Sequence, residues 1–240
     1  MSESRAMMTP SIESGAKAAL DRISVWIFDL DNTLYPAECD LFSQIDRRIG
    51  AFVSDLLGLD PGEARALQKR YFREYGTTMR GLMDHHGVDP GVFLEYVHRI
   101  DHSPIPPSPD LDAALARLPG RRLIYTNASA SHAENVMDML GVRARFERIF
   151  DIVAANYLPK PDPEPYRRLV ESAEFDPKTA VFVDDMPRNL EPAAAIGMTT
   201  VWLRTNTEYA QQGEVGDHIH HITDNLLDWL QNVLAARSAG

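Results

Sequence analysis

Two short apolar runs in this chain end abruptly in paired carboxylates, and that coincidence limits the fold more than any other feature. Val25-Trp26-Ile27-Phe28 leads into Asp29-Leu30-Asp31-Asn32-Thr33, and Thr179-Ala180-Val181-Phe182-Val183 leads into Asp184-Asp185. A short apolar run bounded by turn residues reads as a buried strand. Charge at the end of such a strand is costly unless something uses it. If the two strands are parallel neighbours, four carboxylates converge at the carboxyl edge of one sheet, where open α/β sheets bind ligands. Like charges so placed repel one another. A divalent cation relieves the repulsion, and Mg²⁺ favours one or two carboxylates completed by water and phosphate oxygens. Taken alone, the first pair is also accounted for by an Asx turn capping a strand.

The rest of the chain supplies the sheet. Strand signals at Arg122–Tyr125, Ile149–Ala154 and Thr199–Leu203 alternate with helical signals. The helices are expected at Asp110–Leu118, Ser131–Leu140, Pro163–Ala173, Leu190–Ile196 and Leu226–Ala236. Such alternation implies a parallel, doubly wound sheet. Between the first strand and this pattern lies a stretch with helical periodicity and no strand signal. Leu41, Phe42, Ile45, Ile49, Phe52, Val53, Leu56 and Leu57 recur at helical spacing before Gly58, and Asp60-Pro61 restarts a helix. Shorter helices are expected at Thr78–His86 and Pro90–Arg99, and the proline-rich Ser103–Pro109 reads as the way out. The expected organisation is an α/β core over 1–37 and 103–240, with an inserted all-helical cap over 38–102 above the first strand's carboxyl end. A short helix over Ile12–Leu20 is expected in a peripheral amino terminus.

Charge and cysteine usage narrow the function classes. A net charge of −11 argues against polymeric nucleic acid, which is bound by neutralising phosphates with Lys and Arg. It leaves room for a small phosphorylated ligand, because a local metal and lysine can dominate one site. No apolar run approaches membrane-spanning length. Cys39 is the single cysteine, so an internal disulfide is ruled out and a cytoplasmic, reducing location is expected. A monomer or a homodimer is equally compatible.

Two more polar features fall near strand ends. Tyr125-Thr126-Asn127-Ala128 offers a hydroxyl and backbone N–H groups at a helix start, suited to a phosphoryl oxygen or, equally, to an ordinary cap. Lys160 sits between Pro159 and Pro161 in a stiffened loop. A surface lysine is the default, but four carboxylates nearby need a cation. His218, His220 and His221 read as exposed loop residues, and His85-His86 as a helix end. Trp26, Trp202 and Trp229 read as packing residues.

The order Asp-x-Asp-x-Thr, Thr-Asn, Lys-Pro and Asp-Asp-x-x-x-Asn, spread over residues 23 to 205, resembles the haloacid dehalogenase-like hydrolase superfamily. Phe28–Pro36, Tyr75–Leu82 and Val183–Asn189 are similar, more narrowly, to its pyrimidine 5′-nucleotidase branch. The resemblance implies a helical cap and a set of roles. Asp29 would attack phosphorus to give an aspartyl-phosphate. Asp31 would protonate the leaving oxygen and then activate water. Asp29, the Asp31 backbone carbonyl and Asp185 would hold Mg²⁺, with Asp184 in or near the outer sphere. Thr126 and the Asn127 amide would grip the phosphoryl group, Lys160 would offset charge, and Asn189 would steady the metal site or Lys160. The substrate implied is a pyrimidine nucleoside monophosphate such as UMP or CMP, with phosphoglycolate or a sugar phosphate as the alternative. In the cap, Tyr75, Thr78 and Arg80 could contact a ring or sugar, although Tyr71, Phe72 and Tyr75 also suit a cap core.

Three rivals stand beside this reading. Dehalogenation has no use for an acid at Asp31. A phosphomutase shares the apparatus but excludes water. A receiver-type signalling domain lacks an inserted lid and separates its acidic pair from its phosphorylated Asp.

Overall fold

The computed structural model describes residues 20–207 and 216–238. Of the helix expected over Ile12–Leu20, all but Leu20 lies outside the described residues. Six parallel strands form one sheet: β1 (Val25–Phe28), β2 (Arg121–Tyr125), β3 (Arg148–Phe150), β4 (Ala180–Asp184), β5 (Thr199–Leu203) and β6 (His221–Thr223). Their order is β3-β2-β1-β4-β5-β6. The chain builds outward from β1 to β3, then returns to β4 and builds the other way. The reversal point is the β1/β4 pair, where Phe28 lies opposite Val183. A ligand crevice is expected outside the carboxyl ends of those two strands.

Period-two alternation splits the strands between two cores. Trp26 and Phe28 of β1, Ile124 of β2 and Val181 and Val183 of β4 face one side. There they meet α5 (Pro109–Arg117), α6 (Ala130–Leu140) and α9 (Leu226–Ser238). Val25, Ile27, Leu123, Tyr125 and Phe182 face the other, against α7 (Pro163–Ala173) and α8 (Pro187–Ala195). At Gly120, just before β2, φ is +84° and a Cβ would overlap the Ser24 carbonyl oxygen, so glycine sets the close start of the β1/β2 pair.

Between β1 and α5 four helices form the insertion: α1 (Leu41–Leu57), α2 (Pro61–Tyr75), α3 (Thr78–His86) and α4 (Pro90–Val97). Their boundaries follow local chemistry. Gly58 ends α1 in the left-handed region, and Asp60 opens α2 with a full capping box to Glu63. Asp89 caps α4 ahead of Pro90. Ile45, Val53, Tyr71, Met79, Leu82 and Phe93 form a separate apolar cluster for this block, joined by Ile152 from the core.

Three expectations need correction. The strand expected to reach Ala154 stops at Phe150, because Asp151 turns the chain: its carboxylate accepts from Ala154 N and Ala130 N, each at 2.9 Å. α8 starts at Pro187 rather than near Leu190, since a proline with fixed φ suits the first helical position. His221, expected in an exposed loop, opens the edge strand β6, whose Ile222 is exposed and gives no buried-run signal.

Candidate active site

Each acidic group reaches the crevice from a strand end. Asp29 follows β1 and its backbone N–H donates to Val183 O, which continues the β1/β4 ladder one residue. Asp184 closes β4 and Asp185 begins the turn into α8. Trp202 of β5 donates its indole N–H to the Asp185 carbonyl at 3.0 Å and so anchors that turn. Asp29, Asp184 and Asp185 each offer an oxygen within 4.8 Å of the others. Among the described residues this is the one such cluster; His218, His220 and His221 do not form one.

Lys160 is 2% exposed and lies between the two acidic strand ends. Its Nζ donates to Asp29 Oδ1 at 2.6 Å, Asp184 Oδ2 at 2.7 Å and Tyr125 O at 3.1 Å. Burial lowers its proton affinity, but Asp184 and Asp29 raise it further, so it stays charged. The lysine loop is fixed by Asn127, whose Oδ1 accepts from Lys160 N at 2.8 Å while its Nδ2 donates to Lys160 O at 3.3 Å. Asn189 Nδ2 donates to both Asp184 oxygens, and Met186 N donates to Oδ1. Asp184 is therefore saturated by lysine, amide and backbone, whereas the Asp185 carboxylate has no hydrogen-bond partner among the described residues. Burial, then Asp184 and Asp29, push the Asp185 carboxyl well above the usual range. Burial likewise raises Asp29, to about 7, against the pull of Lys160.

One lysine facing three buried carboxylates leaves an unbalanced negative site, and the unpartnered Asp185 carboxylate lines the cavity. A hard divalent cation with oxygen ligands fits this donor set. Asp29 and Asp185 are the carboxylates open to it. The Asp31 carboxylate stands outside that cluster: its Oδ1 accepts from Tyr35 Oη at 2.7 Å and lies 2.9 Å from His132 Nε2.

Behind Asp31 stands a histidine stack that reading along the chain did not single out. The His132 ring is fully buried and stacks on His98 at 4.6 Å between centroids and 13° between planes. Its Nδ1 is 3.1 Å from His102 Nε2. Burial tends to raise the Asp31 carboxyl, but His132 and the Tyr35 hydroxyl outweigh it and hold the group below its ordinary value. The local hint was position: His132 lies in the first turn of the helix that follows the β2 strand end.

The cavity above these groups is closed by the four-helix block. Thr126, Asn127, Lys160 and Asp185 line its floor, and Phe42, Phe72 and Phe93 line its roof. Thr126 is 1% exposed and its Oγ1 accepts from Ala128 N. Of the three cap residues expected at the substrate, Thr78 lines the cavity and donates to Gln68 O. Arg80 does not: it forms a two-pronged pair with Asp84 at 2.6 and 2.9 Å, one turn along α3. Tyr75 does not either, and its hydroxyl meets His85 Nε2 at 2.6 Å. Gln68 and Asp46, both buried, take polar places in the cavity wall that the sequence did not mark.

A parallel sheet with acidic groups and one buried lysine at its reversal point, under a helical insertion, defines a class of capped α/β hydrolases. The model of the haloacid dehalogenase-like hydrolases matches residues 23–197, and the chain belongs to that family. Phosphate metabolism protein 8 of Saccharomyces cerevisiae is 28% identical over 192 residues, spanning 72% of this chain and 59% of the yeast protein. Bifunctional epoxide hydrolase 2 of Sus scrofa is 28% identical over 80 residues, 33% of this chain and 14% of that protein. The chain thus spans less than two thirds of the length of these curated relatives. Among solved structures, CbbY from Rhodobacter sphaeroides in complex with phosphate superposes with a TM-score of 0.62 at 20% identity, covering 88% of this chain and 99% of that one. L-2-haloacid dehalogenase from Xanthobacter autotrophicus gives 0.54 at 16%, covering 88% and 98%. At these identities the likeness is one of fold.

Proposed function

We propose that this protein is a Mg²⁺-dependent phosphate monoester hydrolase working through an aspartyl-phosphate on Asp29, with a pyrimidine nucleoside 5′-monophosphate as substrate. The observation that carries the chemistry is the Lys160 bridge between Asp29 and Asp184, beside an Asp185 carboxylate left open to a cation. Mg²⁺, held by Asp29, Asp185 and the Asp31 carbonyl, would neutralise phosphoryl charge and orient the group. Asp29 is the carboxylate that both meets Lys160 and lines the cavity, which suits it to form the bond to phosphorus. Thr126 and Asn127 lie on the same floor and suit a phosphoryl oxygen. Asp31 hands a proton to the departing ester oxygen and later takes one from the attacking water, a role worth roughly 10²–10⁴-fold. That role argues for an oxygen leaving group over a halide.

The support for a nucleotide is the roof. Phe42, Phe72 and Phe93 line it with aromatic rings, and Gln68 and Thr78 add polar groups, with Gln68 Oε1 buried and lacking a hydrogen-bond partner among the described residues. An aromatic base matches this wall better than phosphoglycolate or a sugar phosphate, which would bury hydroxyls or a carboxylate against phenyl rings. The test is phosphate release from a panel of phosphate esters with Mg²⁺, run beside Asp29→Asn. UMP and CMP should be cleaved faster than AMP and GMP, and Asp29→Asn should be folded and inactive. Best activity on phosphoglycolate or a sugar phosphate would reject the nucleotide reading alone. Turnover by Asp29→Asn would reject the covalent route.

A further inference from the structure

Tyr35 and His132 converge on a single oxygen of Asp31, Oδ1. The other oxygen, Oδ2, has no hydrogen-bond partner among the described residues, and the side chain keeps 17% exposure at the cavity wall. The holding groups are themselves held. Tyr35 is 1% exposed. His132 is clamped between the His98 ring and the His102 Nε2, and His98 Nδ1 meets Ser129 Oγ at 2.9 Å. Ser129 is the cap residue of α6, His98 closes α4, and His102 lies on the segment that leads from α4 to α5. The clamp is therefore assembled from the insertion and the core together.

We propose that Tyr35 and His132 are positioning residues that fix the Asp31 carboxyl so that Oδ2 alone exchanges protons with the leaving group and with water. This rests on the phosphatase reading above and deepens it. In the first half, an Asp29 oxygen bonds to phosphorus as the ester P–O bond breaks. The leaving oxygen keeps that electron pair and takes the proton carried on Oδ2. In the second half, Oδ2 takes a proton from water while the water oxygen bonds to phosphorus and the bond from Asp29 breaks. One water is consumed, and an alcohol and phosphate are released. An unclamped carboxyl would present its two oxygens interchangeably and lose the orientation that makes the transfer efficient.

The leaving group reads this out. Departure of p-nitrophenolate needs no proton, whereas departure of a nucleoside alkoxide does. kcat/KM covers every step up to that departure, so it is measured for p-nitrophenyl phosphate and for the best nucleotide of the panel. Tyr35→Phe and His132→Gln should lose about 10- to 100-fold on the nucleotide and under about 3-fold on the aryl ester. Asp31→Asn should show the same bias, larger. Equal losses on both esters, or undiminished nucleotide cleavage, would overturn the clamp. Tyr35→Phe removes one hydroxyl and keeps the ring, so it decides the matter even if His132→Gln does not fold. If Asp31→Asn is itself blind to the leaving group, the acid role falls and the clamp with it. If Asp31→Asn discriminates and the two neighbours do not, the clamp alone falls.

Discussion

At the scale of single residues, the site is an exercise in distributing buried charge. Lys160 meets two carboxylates, Asn189 donates to one of the same pair, Asp184, and Asp185 is left open. The histidine stack is the site's neighbour. Burial first, then His132 and His102, hold the His98 imidazole down to about 3, against the opposing pull of Asp31. An unfolded histidine titrates near 6.5. As pH falls below 6.5 the unfolded chain takes up a proton that the folded chain refuses until about pH 3, so this contribution is whole above 6.5 and lost on descending through that window. One proton limits this slope to about 1.4 kcal/mol per pH unit, and solvent reaching the half-buried His98 narrows the window over which it acts. Urea midpoints of wild type and His98→Gln at pH 7.5 and 5.5 measure it: wild type should lose more stability on acidification than the variant, and parallel losses would contradict the assignment. The acidic residues, Lys160 and Asn189 were legible because each sits at a strand end or in a stiff loop with a short local signature. His98, His102 and His132 were not, since they lie on three separate elements and become neighbours only through tertiary folding. Arg80 and Tyr75 were read toward the substrate because their chemistry suits it, but partners one turn or one helix away, Asp84 and His85, take them up.

At the scale of elements, the insertion depends on one close helix contact. Gly81 of α3 faces Tyr71 of α2, and a Cβ there would overlap the ring Cγ and come within 2.7 Å of Tyr71 Cβ. The ring cannot swing freely, because its hydroxyl is tied to His86 Nε2 at 2.8 Å. Alanine gains about 1 kcal/mol over glycine in helix propensity, while overpacking costs about 1–3 kcal/mol. The contact involves ring and backbone-proximal atoms, so the cost prevails. Gly81→Ala should lower the thermal midpoint by several degrees, the equivalent of about 1–2 kcal/mol; an unchanged or raised midpoint would show that the helices can slide apart. The helices themselves were readable to within a few residues, since Asp60, Asp89, Gly58 and the N-terminal prolines punctuate them. The short strands were less so. β6 has three residues and no buried alternation, and β3 ends at an aspartate whose turn role depends on groups elsewhere in the fold.

At the scale of the whole molecule, sheet order places everything. The strand sequence β3-β2-β1-β4-β5-β6 brings residues 155 positions apart, Asp29 and Asp184, to one lysine. The inserted helices then cover that point. This arrangement, three carboxylates gathered at one lysine, is what supports the proposed cation. Activity should vanish with EDTA and return with Mg²⁺, whereas Ca²⁺, with its larger and looser coordination, should restore it poorly. Full activity after exhaustive chelation would refute the metal role. Among the described residues no helix is long and apolar enough to cross a membrane.

The indole that anchors the acidic turn has an optical consequence. Trp202 touches the Asp185 backbone directly, while Trp26 and Trp229 pack edge to face in the interior, with Trp26 bonded to Pro119 O. Two of the three fluorophores are thus a constant background, and the third sits one residue's length from the open carboxylate. Loading the site with Mg²⁺ should change the emission without any substrate present, and Trp202→Phe should erase the change. The protein would carry its own gauge of cation occupancy, readable by titration before a single ester is cleaved.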